Sequence, residues 1–387
     1  MISPTSTPVQ LPLLAPETLS PLPVGPGHYV AVLQNKTGEL RALAAAKDRA
    51  WERMTPLLEF VGPKTVSRPL TASAASAWVK RASLVLGQHP FYLDTLRLNA
   101  SAAVQTPEGS RPVLRYLHDQ ARNRQMRFVP VAWVGEASEA LEQIVRDAAL
   151  ANGHGVALRY RALEVLPPSG TSHRAFVEAQ LDRVNGHPER ADLLIDLQFI
   201  DEDRELAGED VAELMDQVSA VGQWRSVVLL GTSIPKTLGV IPEGTIGSLP
   251  RREWNLWVEL DRFALRRSPA FGDYAVQHPH PPVDGGGGNQ MRANIRYTTD
   301  DATVVVRGRG PVTQEGNEQY RRLCQQLAVL PEFAGRDYSW GDETIEDCAD
   351  GVVPPGSQNQ WRGVGTSHHI QHVTDALRRH SERSSSG

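Results

Sequence analysis

The chain has 387 residues, 40% of them hydrophobic and 22% charged, with a formal net charge of −5. That length allows one large domain or two ordinary ones, and the composition is that of a globular protein. The negative balance removes any broad electrostatic reason for binding nucleic acid or an anionic membrane. Two cysteines, Cys324 and Cys348, are too few for a disulfide framework and read as buried thiols, with a single bridge as the alternative.

The first residues, MISPTSTPVQLPLLAPETLSPLPVGPG, are broken by proline and carry no Lys or Arg. A secretory signal needs a basic start and an unbroken apolar stretch, so none is read here. No apolar run reaches the ~20 residues of a membrane helix, and the cytoplasm is the expected address. Residues 1–26 are expected to form a Pro-rich flexible arm, because proline fixes φ and removes backbone donors.

From there the chain alternates. Short apolar runs fall at Tyr29–Leu33, Thr55–Val61, Phe91–Leu96, Phe128–Val134, Gly155–Tyr160, Asp192–Ile200, Ser226–Leu230 and, more weakly, Phe271–Val276. Runs such as LLIDLQFI and SVVLLG are apolar on both alternating faces, as a parallel strand covered on both sides must be. Between them, Gly38–Trp51, Ser138–Ala151, Phe176–Val184 and Asp210–Val221 have helical composition or spacing. Eight such units in roughly 250 residues predict an α/β fold of the (β/α)8-barrel type over residues 27–283. A doubly wound open sheet is the alternative, but it usually shows a Gly-rich phosphate turn, and LQNKTGEL is a poor one.

Past Asp284–Asn289 (DGGGGN), a connector of little conformational preference, the composition changes. Two strands, Ala293–Tyr297 and Ala302–Arg307, are expected around a turn at Thr298–Asp301. A helix over Glu315–Leu330 follows, then an irregular Trp-, Gly- and His-rich stretch and a last helix near His372–His380. Residues 284–380 thus read as a smaller α+β region packed on the barrel, and Ser381–Gly387 as a disordered tail.

Several stretches resemble the phage "beta protein" family, a poorly characterised group of bacteria and phages. They are YVAVLQNKTGELRAL and RMTPLLEF near the start, then ANIRYTTDDATVVVRGRG, YSWGDETIEDCADG and QWRGVGTSHHIQHV near the end. The similar region runs from about Tyr29 to about Val373. The resemblance brings no catalytic residues with it, so the chemistry rests on residue types and positions.

Barrel proteins that act on small molecules place their working residues at the C-terminal ends of strands. Reading those ends off the alternation selects Lys36, Glu59, Asp94, Arg159, Asp196 and Asp273. Singly, each also fits a solvated or paired structural charge. Together, they suit a polar pocket. Glu59, Asp94 and Asp196 could hold a divalent metal ion or serve as acid and base, with Lys36 and Arg159 on an anion. Later, Arg307 and Arg309 in VRGRG share one side of a strand and suit a phosphate or carboxylate, or else lie exposed. Within SWGDE, Asp342 reads as a turn residue.

In GTSHHIQH, His368 and His369 are candidates for proton transfer and equally for packed structural histidines. His369 and His372 could share a helix face, but no HExxH or CxxC signature accompanies them. The pair His278 and His280 in HPHPP reads as a rigid loop. A P-loop ATP site, an NAD-binding Rossmann fingerprint and a GxSxG elbow are all missing.

The leading expectation is a barrel enzyme hydrolysing a nucleotide or phosphodiester. Its partner would be an anionic small molecule. The alternatives are a non-catalytic binding or scaffold protein of phage or phage-defence context, and a glycosidase-like hydrolase.

Overall fold

In a computed structural model, the protein is described over residues 24–34, 36–61, 71–95, 97, 103–136, 138–202, 206–280 and 291–384. The Pro-rich stretch up to residue 23, Leu96, the Asp284–Asn289 connector and the last three residues lie outside these.

Thirteen strands are described. They are β1 (Tyr29–Leu33), β2 (Leu57–Glu59), β3 (Phe91–Asp94), β4 (Ala103–Thr106), β5 (Gly109–Pro112), β6 (Phe128–Trp133) and β7 (Val156–Tyr160), followed by β8 (Ala191–Phe199), β9 (Ser226–Thr232), β10 (Ile246–Pro250), β11 (Ala270–Asp273), β12 (Arg292–Thr298) and β13 (Ala302–Pro311). Eight of them close into a parallel barrel in the order β1-β11-β9-β8-β7-β6-β3-β2. The expected (β/α)8 architecture is therefore present, built from the eight apolar runs, most of them shorter than the runs themselves.

The helices are α1 (Thr37–Ala44), α2 (Asp48–Trp51), α3 (Ala72–Leu86), α4 (Val113–Asn123), α5 (Glu139–Asn152) and α6 (His173–Arg183), then α7 (Gly208–Ser219), α8 (Arg252–Glu259), α9 (Val312–Glu315), α10 (Gln319–Ala328), α11 (Trp340–Ala349) and α12 (Gln358–Ser384). None is long and apolar enough to cross a membrane among the described residues.

Alternation along each strand sorts two cores. Val30, Val32, Leu57, Tyr92, Val129, Val131, Ala157, Leu194, Val228 and Leu230 fill the barrel interior, with Val24 buried among them. Their neighbours in sequence, such as Tyr29, Ala31, Leu58, Leu93, Leu158, Leu193 and Phe271, face outward and pack against the helices.

The chain departs from the expected division after β11. The last helix is not confined to the region of His372–His380: α12 runs from Gln358 to Ser384 and takes in GTSHHIQH and the first four tail residues. It is the helix of the eighth βα unit. Ile370, Val373 and Leu377 enter the same outer core as α1 and α3. On one side His380 packs at a tilt against Trp257 and bonds Asp261, and on the other Arg49 pairs with Asp375. The segment from β12 to α11 is thus an insertion within that unit, with its own core of Ile295, Tyr297, Val306, Tyr320, Leu323, Cys324 and Cys348. Both cysteines are buried and unbridged. The antiparallel sheet of the insertion has the order β10-β13-β12, so it borrows β10 from the connection that follows β9.

Glycine explains why α12 escaped a helix reading. A Cβ on Gly363 would lie 2.4 Å from Gly38 O, and one on Gly38 2.3 Å from Asn359 O. The bare backbones let α1 and α12 cross at contact distance, which no larger residue allows.

One outer-core group makes stability depend on pH. His118 on α4 is 4% exposed, packs on Phe128 at 5.3 Å between ring centroids, and has no partner for either ring nitrogen among the described residues. Burial, helped by Arg115, pulls its pKa from 6.5 down to about 3. A depressed histidine stabilises the fold above its unfolded value and loses that contribution as pH falls from 6.5 towards the folded value. Between pH 6.5 and 4.5 the group should cost roughly 2–3 kcal/mol. Glu39, Glu59 and Glu253, all raised by burial, act in the opposite sense, so a difference measurement is required. His118→Phe should flatten the acid limb relative to wild type in urea unfolding at pH 7 and pH 4.5. Parallel curves would exclude this assignment.

Candidate functional site

The six strand-end charges divide. Glu59, Asp94, Arg159 and Asp196 share the inward parity of Leu57, Tyr92, Ala157 and Leu194, and all four are buried. Arg159, reaching across the barrel from β7, is the centre. Its Nη1 donates to Glu59 Oε1 at 2.8 Å and to Asp94 Oδ2 at 2.6 Å, while Nε donates to Asp196 Oδ2 at 2.8 Å. Nη2 donates to the Tyr274 hydroxyl at 2.7 Å, which in turn donates to Asp196 Oδ2 at 2.6 Å. Trp133 Nε1 donates to the same Asp94 oxygen at 2.9 Å.

The strand ends are bent to fit. A bulge in β8 after Asp196 carries Gln198 at φ 58, and its backbone N–H and Nε2 both donate to the Asp196 carboxylate. Ala275, just past β11, also has positive φ, at 50. A non-glycine residue held there costs about 1–3 kcal/mol, and such strain clusters at functional sites.

Charge decides the protonation of this floor. Burial opposes the Arg159 charge, but Tyr274, Asp196, Glu59 and Asp94 outweigh it and hold the proton tightly. Burial also pushes the Glu59 carboxyl up, against the pull of Arg159 and Arg97 and with the help of Asp94. Arg97 Nε stands 2.9 Å from Glu59 Oε2, an ion pair without hydrogen-bond alignment. Three carboxylates facing two guanidiniums leave one negative charge in excess, beside a Glu59 carboxyl that burial pushes up.

Above the floor the rim carries two arginines, Arg97 paired with Glu59 and Arg161 paired with Glu164 at 3.0 Å. Arg97 Nη2 donates to Pro279 O at 2.5 Å, which ties the His278–His280 stretch to the rim. His278 packs on Phe199 at the end of β8, and His280 lies 3.5 Å from Arg97 Nη1 and 3.9 Å from Glu164. Burial first, and then the neighbouring His280, pull the His278 pKa down to about 4. Arg161 stacks 4.2 Å over the Trp133 ring. The histidine pair read as a rigid loop therefore borders the mouth. Tyr274, Trp133, Gln198 and Arg97 were not singled out in the sequence. For Tyr274 a signal exists, since it shares parity with Ala270 and Gly272 rather than with Phe271.

Asp273 has that outward parity and does not line the mouth. Its Oδ1 accepts from the Tyr29 hydroxyl at 2.6 Å and its Oδ2 from His369 Nε2 at 2.8 Å. His369 is thus a strut between barrel and α12, with Thr298 Oγ1 2.7 Å from its Nδ1. Adjacent residues on a helix point about 100° apart, so His368 turns into the insertion. Its two nitrogens face Asp342 at 3.0 Å and Thr298 O at 2.8 Å, and it stacks on Tyr297. His372 meets Asp300 instead of sharing a site with His369. Lys36 caps α1, its backbone N–H donating to Glu39 at 2.9 Å. Arg307 and Arg309 line a separate cleft of the insertion.

The carboxylates do not fit a divalent cation. The Arg159 guanidinium already takes the central position. Among the described residues no group of three or more His, Cys, Asp or Glu is disposed to hold a metal ion.

Fold and site together define a (β/α)8-barrel protein with a polar network at the C-terminal ends of its strands, where barrel proteins carry their working residues. The chain belongs to the Beta protein family, whose family model matches residues 29–375. A comparison with curated proteins finds no match.

Proposed function

We propose that the barrel mouth is the centre of an enzyme that hydrolyses an anionic, phosphate-bearing substrate such as a nucleotide or phosphodiester. The observation that carries this reading is the placement of two rim arginines, Arg97 and Arg161, beside a buried carboxyl whose pKa is raised. Arg97 and Arg161 would engage the phosphate, a preference of guanidinium for planar bidentate contacts. Trp133 offers a half-buried ring beside them. Drawing Arg97 onto the phosphate frees Glu59 Oε2. As water attacks phosphorus and the P–O bond to the leaving group breaks, the Glu59 carboxyl supplies the proton to the departing oxygen. The attacking water's proton then returns to the carboxylate. Arg159 holds Asp94 and Asp196 in place and limits the charge beneath the site.

A scaffold reading is favoured by one fact: Arg159, its carboxylates and Tyr274 largely satisfy one another. A panel of nucleotides and phosphodiesters separates the two. The enzyme reading expects turnover that drops 10²–10⁴-fold in kcat for Glu59→Gln, the usual contribution of a general acid. Arg97→Ala should mainly raise KM. An absence of turnover and binding across the panel would leave the network as a structural plug.

A further inference from the structure

The second concentration of arginine lies on the insertion, in a cleft of ≈ 430 Å³ that shares no residue with the barrel mouth. Arg307 and Arg309 reach it from β13 and Arg322 from α10. None of the three forms an ion pair with a carboxylate among the described residues. Arg307 is held by carbonyls instead: its Nη1 donates to Leu238 O at 2.6 Å and to Ile241 O. Those carbonyls fix the guanidinium without neutralising it. The Arg309 stem lies over Gly244, where a Cβ would come 2.5 Å from its Cγ. Three guanidiniums against one carboxylate, Glu315, leave the cleft with a positive balance that an anion relieves.

A second, independent feature points to more than a bare anion. Gln319, at the start of α10, is 3% exposed and lines the same cleft. Its Nε2 donates to Gly310 O and Gly316 O, both at 3.3 Å, which sets the sense of the amide. That leaves Oε1 as an acceptor without a partner among the described residues. It sits over Gly308, where a Cβ would come within 2.4 Å of it. Gly308 thus makes room for the Gln319 carbonyl. A buried acceptor left unpaired is unfavourable, and a ligand N–H can relieve it. Glu315 lines the cleft as well and adds acceptors only. The volume is in the range of small-molecule sites.

We propose that this cleft binds a nucleoside monophosphate, with the phosphate on Arg307, Arg309 and Arg322 and a base N–H on Gln319 Oε1. It is a site distinct from the barrel mouth and does not depend on the activity assigned there. Calorimetric titration of the full chain with AMP, GMP and inorganic phosphate tests it. At least one nucleotide should bind, and bind at least tenfold tighter than phosphate. Arg309→Ala and Arg322→Ala, both at exposed positions, should each weaken it tenfold or more. Gln319→Leu should weaken the nucleotide and leave phosphate unchanged, whereas a merely structural Gln319 would move both or neither. Arg97→Ala at the mouth should leave in place the binding event that Arg309→Ala and Arg322→Ala weaken. Four results would overturn the proposal. These are no nucleotide binding, equal affinity for phosphate, affinity unchanged in both arginine variants, and loss of binding in Arg97→Ala alone, which would place the nucleotide at the mouth.

Discussion

Replacing Arg159 with methionine should destabilise the protein by about 3–5 kcal/mol, the range for removing one partner of a buried ionic network. The guanidinium is 1% exposed and is the donor common to Glu59, Asp94 and Asp196. Without it, the barrel interior holds carboxylates with no cation beneath Arg97. Methionine restores most of the volume, so the loss is electrostatic, and this gives the test its sign. Unpaired buried carboxylates take up protons more readily in the folded state than in the unfolded one. Their raised folded pKa favours folding at low pH, and that benefit fades as pH rises through the folded value. The stability deficit of Arg159→Met should therefore be largest at neutral pH and shrink below about pH 5. Adding Glu59→Gln to Arg159→Met should recover part of it. A deficit that is constant from pH 7 to pH 4.5, read by chemical unfolding, would show that packing rather than charge accounts for the loss.

Ending the chain before Gln358 should abolish folding of the barrel, even though every barrel strand would remain. Such a chain exposes the faces of β1, β11 and α1 that α12 covers. Ile370, Val373 and Leu377 are each at most 1% exposed in that layer. Burying three such side chains contributes roughly 5–9 kcal/mol, comparable with the whole stability of an ordinary domain. Removal of α12 also leaves the Asp273 carboxylate without His369 and strips the cover from the Tyr29 hydroxyl. The division into a barrel over 27–283 and an appended region over 284–380 implies the opposite, a self-sufficient N-terminal piece. Expression of residues 24–283 decides between them: a cooperative thermal transition and native-like near-UV circular dichroism would contradict the role given to α12. A milder version keeps the chain whole. Gly363→Val would drive a side chain into the Gly38 carbonyl and should cost about 3 kcal/mol, towards the upper end for overpacking.

The sequence by itself determined the barrel, because a parallel strand buried on both faces can only be written as a near-continuous apolar run. Runs such as LLIDLQFI and SVVLLG carry that mark regardless of what packs on them. It also located Glu59, Asp94, Arg159 and Asp196, since a charge at the end of such a run has few places to go but the mouth. Three things were decided only by tertiary structure. The facing of Asp273 depends on strand parity, which the weak run at Phe271–Val276 left unanchored, and a single-residue change of parity sends a side chain to the opposite face. The extent of α12 was hidden by Gly363 and Gly365, which weaken a helix on their own and are favoured here only because other backbone comes so close, Gly38 of α1 against Gly363 and Arg296 O of β12 against Gly365. The partners of His368, His369 and the arginines of the VRGRG segment were beyond local reading. Each is set by residues brought together from elements 26 to 96 positions away, as with Asp342 on His368 and Asp273 on His369. Local periodicity records which face of an element is buried. It carries no record of what that face meets.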